Sequence, residues 1–124
     1  MPTKWKGKTI LIAEDVEENY LYLKKALKKT QTNIIWAKNG EEALKLTIES
    51  PKIDLVLMDI KMPKMNGTDA AKKIKEHNPN QVIIAQTAYA RPEEKSKFYS
   101  KDFDDYISKP IHPIDLFRLL SNYL

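Results

Sequence analysis

Hydrophobic positions along the chain fall into two alternating kinds. Short runs rich in branched residues, TILIA (Thr9–Ala13), NIIWA (Asn33–Ala37), DLVLM (Asp54–Met58) and VIIAQ (Val82–Gln86), show no polar alternation. Continuous apolar runs of this length mark parallel strands covered on both faces. A fifth, shorter run is DYIS, Asp105–Ser108. Between the runs lie longer segments in which apolar residues recur at helical spacing. Tyr20, Leu23 and Leu27, with Tyr22 beside them, stripe the first; Ala43, Leu44 and Ile48 the second; Ala70, Ala71 and Ile74 the third. Asn39-Gly40 precedes the second helix, Ser50-Pro51 ends it, and Asn78-Pro79 ends the third. Arg91-Pro92-Glu93-Glu94 reads as the first turn of a fourth, with proline early and acids near the positive end of the helix dipole. His112-Pro113 opens a last helix that carries Leu116, Leu119, Leu120 and Tyr123.

Strand and helix alternating five times predict right-handed crossovers and an α/β doubly wound sandwich, a parallel sheet with helices on both faces. In such sheets ligands sit outside the carboxyl ends of the strands, at the switch point. The residues at those ends are Glu14-Asp15 after the first strand, Asp59 after the third, Thr87 after the fourth and Lys109 after the fifth. Each has an ordinary structural reading: Asp15 as a helix N-cap, Asp59 as an Asx turn, Thr87 as a strand cap, Lys109 as a solvated lysine. Together they place three carboxylates, a hydroxyl and an ammonium at one edge of the sheet. A charge ending a buried strand, as in LVLMD, costs free energy unless something pairs with it or uses it. Three clustered carboxylates repel one another, so the site needs positive charge. Lys109 supplies one unit, and a hard divalent cation with oxygen ligands, Mg²⁺, suits the rest. A carboxylate held beside such charge is placed to attack phosphorus, which makes Asp59 the candidate nucleophile.

Composition narrows the picture further. The 124 residues suit a single domain, and 42% hydrophobic with 31% charged residues is enough to fill one core. The absence of cysteine excludes thiolate chemistry and zinc–thiolate sites. The net charge is +4, but lysines alternate with acids, as in EEKSK and IKEHN. That reads as a solvated surface rather than a nucleic-acid footprint. No apolar run approaches the ~20 residues of a membrane span, and MPTKWKGKTI lacks the apolar core of a secretory signal. The expectation is a cytoplasmic protein without nucleic-acid or membrane contact by this domain. Residues 1–7 read as a tail or linker remnant with Trp5 as its apolar anchor, and residues 8–124 as the domain. His77 sits at a helix end, and His112 has no second ligand at metal spacing, so neither histidine is assigned a role.

The stretches ILIAED, LVLMDIKMPKMNG, IIAQTA and FDDYISKPI, in this order and spacing, resemble the receiver domain of two-component response regulators, from about Lys8 to Leu124. The resemblance implies a flavodoxin-like (βα)5 three-layer sandwich with a five-stranded parallel sheet in the order 2-1-3-4-5. It implies a phosphoacceptor switch rather than an enzyme, one that assists only its own phosphorylation and dephosphorylation. The phosphoryl donor would be a histidine kinase or a histidine phosphotransfer domain. Carried over by position, Asp59 accepts the phosphoryl group. Asp15 and Asp59 bind Mg²⁺ with Glu14 assisting through water, and the Lys61 backbone carbonyl completes the protein ligands. Lys109 pairs with a phosphoryl oxygen, Thr87 moves its hydroxyl onto another, and Tyr106 follows as the switch aromatic. The Lys109-Pro110 bond is expected to be cis, as an X-Pro bond readily permits. Gly67 and Pro63 shape the loop beside the site, while Lys61 and Tyr89 flank it as positions that tune hydrolysis. Phosphorylation is expected to alter the face built from the fourth expected helix, the fifth strand and the last helix; a weak homodimer through that face is a further family-level expectation.

Two departures from the family pattern stand out. The acidic pair is Glu-Asp, and the longer Glu14 still suits coordination through water. SKDFDDY replaces the usual glycine before the fifth strand, with Asp102 expected to take the left-handed turn. A phosphoaspartate hydrolase of the haloacid dehalogenase kind would need an acid at the position of Lys61. A nucleotide- or flavin-binding domain would need glycines after the first strand, where this chain has EDVEEN. The remaining alternative is a phosphorylation-independent pseudo-receiver acting as an interaction scaffold. The opening KWKGKTILIAED and the ending ISKPI look more like receivers of hybrid sensor histidine kinases than free-standing ones.

Overall fold

Five segments hydrogen-bond into one sheet: β1 (Thr9–Ala13), β2 (Asn33–Ala37), β3 (Leu55–Asp59), β4 (Ile83–Thr87) and β5 (Asp105–Ser108). All the pairings are parallel, in the order β2-β1-β3-β4-β5. The computed structural model describes residues 5–50, 52–88 and 101–124. The described helices are α1 (Glu17–Leu27), followed by a 3-10 turn at Lys28–Thr30, then α2 (Gly40–Glu49), α3 (Gly67–His77) and α4 (Pro113–Leu120). The helix expected to open at Arg91, and Tyr89 before it, lie outside the described residues. Among the described residues no helix is long and apolar enough to cross a membrane.

Side-chain alternation along each strand feeds two cores. One face carries Ile10, Ile12, Leu55, Leu57 and Ile84 against Leu23 and Leu27 of α1 and Leu116 and Leu120 of α4. Trp5, the apolar anchor of the leading segment, is buried in this same core. The other face carries Leu11, Ala13, Val56, Met58, Ile83 and Ala85 against Ala43 of α2 and Ala70, Ala71 and Ile74 of α3.

Several local expectations are corrected. Strands β3 and β4 each run one residue later than their apolar runs, so Asp59 and Thr87 are ladder residues, opposite Gln86 and Ser108. Asp54 lies just before β3, its carboxylate accepting from the Thr9 N–H at 2.8 Å and its own N–H donating to the Thr9 carbonyl at 2.9 Å. Tyr22 and Ile48 are about half exposed, at 48% and 45%. On α2 the position buried with Ala43 is Thr47, one turn on, its hydroxyl donating to the Ala43 carbonyl at 2.6 Å. Positive φ among described non-glycine residues falls at Gln31 and Lys64, not at Asp102. The approach to β5 is fixed instead by Asp104, which exchanges two 2.8 Å hydrogen bonds with the Ile83 backbone and pairs with Lys75.

The strand order reverses between β1 and β3, so the carboxyl ends of these two strands flank the switch point. Glu14, Asp15 and Asp59 stand there.

Candidate functional site

Asp59 ends β3 with a buried carboxylate, and its charge is answered from β5. Lys109, the residue after β5, brings Nζ to 2.9 Å from Asp59 Oδ2 and 3.7 Å from Glu14 Oε2. The Lys61 N–H donates to Asp59 Oδ1 at 3.3 Å. The Lys109 backbone is itself tied to β4, its N–H donating to the Thr87 carbonyl at 2.9 Å, and the Lys109-Pro110 peptide bond is cis. The loop after β3 is held close by glycine. The Gly67 N–H donates to the Ile60 carbonyl at 2.7 Å, and a Cβ at Gly67 would stand 2.1 Å from the Asp59 carbonyl oxygen.

Glu14 is fully buried. Its Oε1 accepts from Asn19 Nδ2 and from the Val16 N–H, both at 3.3 Å. Oε2 is buried without a hydrogen-bond partner. Burial pushes the Glu14 carboxyl above the usual range, the charge of Asp59 adds to the shift, and Lys109, Asn19 and Val16 oppose it. Asp15 is exposed, and it does not cap α1: the residue before the helix is Val16, which offers no side-chain acceptor. The Asp15 carboxylate is thereby left to face the site.

One carboxylate oxygen from each of Glu14, Asp15 and Asp59 lies within 4.8 Å of the others. A cavity of about 310 Å³ opens over them, with Lys61, Thr87 and Lys109 in its walls. The donor set is all oxygen and carries three formal negative charges, with one ammonium in contact, and it contains a buried oxygen lacking a hydrogen-bond partner. These features fit a hard divalent cation.

The structure therefore brings Glu14, Asp15, Asp59, Lys61, Thr87 and Lys109 to one cavity. Tyr106 stands apart on β5, packing against the α2/α3-side core with its ring edge-on to Phe103 at 5.6 Å. The histidines lie exposed, His77 at the end of α3 and His112 before α4. Two residues that the sequence pattern does not flag also hold the site. Asn19 steadies the Glu14 carboxylate, and Trp36 Nε1 donates to the Glu14 carbonyl at 2.8 Å. The only sequence signal for Trp36 was its place in the NIIWA run.

Residues 10–121 match the family model of the response regulator receiver domain. Among curated relatives, hybrid signal transduction histidine kinase I of Dictyostelium discoideum is 37% identical over 123 residues, covering 93% of this chain and 7% of that protein. The chain thus spans a small part of that relative's length. Among solved structures, a chain of the Saccharomyces cerevisiae complex between the histidine phosphotransfer protein Ypd1 and the receiver domain of Ssk1 superposes with a TM-score of 0.83 at 26% identity. It covers 94% of this chain and 88% of that one. A chain of the CheX–CheY–BeF3–Mg²⁺ complex from Borrelia burgdorferi gives a TM-score of 0.84 at 30% identity, covering 96% and 91%.

Proposed function

The chain belongs to the response regulator receiver domain family of two-component signalling, and from that premise we propose that Asp59 takes a phosphoryl group from a phosphohistidine. The donor is a histidine kinase or a histidine phosphotransfer protein. One observation carries this reading: the Lys109 ammonium lies 2.9 Å from the carboxylate of Asp59, inside a trio of carboxylates whose oxygens lie within 4.8 Å. In the transfer an Asp59 carboxylate oxygen bonds to phosphorus as the histidine N–P bond breaks, and the electron pair of that bond stays on the imidazole. Lys109 moves its ion pair from the carboxylate to a phosphoryl oxygen, so its charge follows the charge that is transferred.

Asp15 and Asp59 would hold Mg²⁺ directly, with the Lys61 carbonyl, and Glu14 through water. When bound, the ion supplies the positive charge that three carboxylates and a phosphoryl group require. Thr87, buried at the end of β4, donates its hydroxyl to the phosphoryl group. That contact exists only in the phosphorylated state, so it shifts the population of loop arrangements. Tyr106, two strand positions before Ser108, reports the shift by changing rotamer and altering the face that β5 and α4 share.

In this reading residues 8–124 form the receiver unit, at work in the cytoplasm where a kinase domain can reach it, as one module of a hybrid kinase or as a separate regulator. Intact mass after incubation with acetyl phosphate, with and without Mg²⁺, tests the chemistry beside Asp59→Asn. The expected result is a Mg²⁺-dependent gain of one phosphoryl group that the variant lacks. A gain that persists in Asp59→Asn would move the acceptor elsewhere. No gain from acetyl phosphate or from a phosphorylated phosphotransfer protein would favour the scaffold reading.

A further inference from the structure

Glu14 and Asp15 leave the sheet where β1 ends, and a side chain from the neighbouring strand fixes their departure. The Glu14 N–H donates to the Ala37 carbonyl at 3.0 Å, extending the β1–β2 ladder one step beyond Ala13. A continued parallel ladder would next give the Glu14 carbonyl the N–H of Asn39. At that point the chain has already turned into α2, with Asn39 as its N-cap and Oδ1 accepting from the Glu42 N–H at 2.9 Å. The vacated acceptor is filled by Trp36 Nε1 at 2.8 Å.

The indole making this bond is itself held. Its ring stacks on Tyr20 of α1 with centroids 4.4 Å apart and planes 5° from parallel. Lys38 Nζ lies 5.1 Å from its centroid, within cation–π range. Tyr20 is buried, so the indole cannot swing away without disturbing the packing of α1 on the sheet. The hydrogen bond and the stack thus tie the turn at Glu14-Asp15 to both β2 and α1.

We infer that Trp36 is a positioning residue for the acidic pair. The Tyr20 stack orients the indole, the indole N–H clamps the Glu14 carbonyl, and the clamp holds the Glu14 and Asp15 carboxylates toward Asp59 against their mutual repulsion. The inference rests on the reading of the trio as a Mg²⁺ site. Under it, the indole N–H belongs to the cation site's supporting structure even though it touches neither cation nor phosphoryl group. Such outer partners commonly set metal affinity.

The test compares Trp36→Phe, which keeps a ring to stack and removes the donor, with Trp5→Phe, a lesion in the same buried core but in the segment that precedes β1, whereas Glu14 follows that strand. Mg²⁺ affinity is measured by titration of backbone amide shifts at Asp15 and Asp59, and stability by urea unfolding in EDTA. Trp36→Phe is expected to weaken Mg²⁺ binding about three- to tenfold. Trp5→Phe is expected to lower stability at wild-type Mg²⁺ affinity. In the Trp5→Phe background Trp36 is the only tryptophan, since the chain has two. Its emission should therefore change along the same Mg²⁺ binding curve, a readout that survives if Trp36→Phe does not fold. Equal Mg²⁺ affinity in wild type and Trp36→Phe would overturn the inference while leaving the site intact. Equal weakening by both variants, or a Trp36 emission blind to Mg²⁺, would also overturn it. A wild-type protein that binds no Mg²⁺ would instead remove the reading beneath it, and this inference as well.

Discussion

Replacing Lys109 with methionine keeps most of the aliphatic stem and deletes the ammonium. That charge stands 2.9 Å from Asp59 Oδ2 and 3.7 Å from Glu14 Oε2, and both acids are buried, at 5% and 0% exposure. At an effective dielectric constant of about 20, a pair of unit charges 2.9 Å apart attracts by roughly 6 kcal/mol before desolvation is counted. The Lys109 side chain is 32% exposed, so solvent screening and the cost of desolvating the ammonium offset most of this. The net loss expected for Lys109→Met without metal is about 1–3 kcal/mol, the cost of leaving buried carboxylates uncompensated. Mg²⁺ should restore most of it, because the cation replaces the missing charge and no longer meets a competing ammonium. Binding to the native state stabilises by RT ln(1 + [L]/Kd), so the stabilisation by Mg²⁺ should be larger in the variant than in the wild type. Urea unfolding of both proteins, in EDTA and in saturating Mg²⁺, measures all four stabilities. A loss of the same size in both conditions would contradict an electrostatic role, since it would mean that Lys109 acts through packing and not through the carboxylates. No loss in EDTA would refute it as well.

Gly67→Ala should destabilise the domain by about 1–3 kcal/mol, because the new Cβ would meet the Asp59 carbonyl oxygen at 2.1 Å and Ile60 Cα at 2.9 Å. Both are backbone atoms that cannot rotate aside, and a wild-type urea midpoint would contradict the close approach. Burial, a hydrogen bond to Asp105 at 3.0 Å, and the charges of Asp105 and Asp104 push the Tyr123 phenol from its ordinary 10.0 up to about 12. The unfolded chain ionises first, so the contribution of this phenol to stability is fully present below pH 10.0 and is lost as pH rises from there through about 12. Absorbance titration near 295 nm should show a late-ionising tyrosine that Tyr123→Phe removes; an unchanged titration curve in that variant would assign the late step elsewhere.

Much of the fold was legible in the chain because burial leaves a periodic trace. Apolar runs mark the five described strands, and the i, i+3, i+4 stripes mark the described helices. Polar residues after the apolar runs point to the edge where the candidate site lies, since every strand of a parallel sheet points its carboxyl end to the same edge. This holds whichever strand lies beside which. The order β2-β1-β3-β4-β5 came only through family resemblance, because apolar runs that are hydrophobic on both faces carry no record of their neighbours.

What escaped the sequence were features decided by register and by competition for hydrogen bonds. Asp15 is an ordinary N-cap residue by type, yet Val16 occupies the cap position and Glu14 receives the Val16 N–H. Asp102 was the natural candidate for a left-handed turn, but the Asp104 carboxylate bonding Ile83 fixes that approach without one. Ile48 reads as core by hydropathy, while Thr47, one turn after Ala43, is the residue turned inward. Asn19 and Trp36 reach Glu14 from a helix and from a different strand. The elements and the charges at their ends are readable along the chain, because both follow from local patterns of burial. Which donor meets which acceptor there is set in three dimensions, because it depends on how β1, β2 and α1 are set against one another.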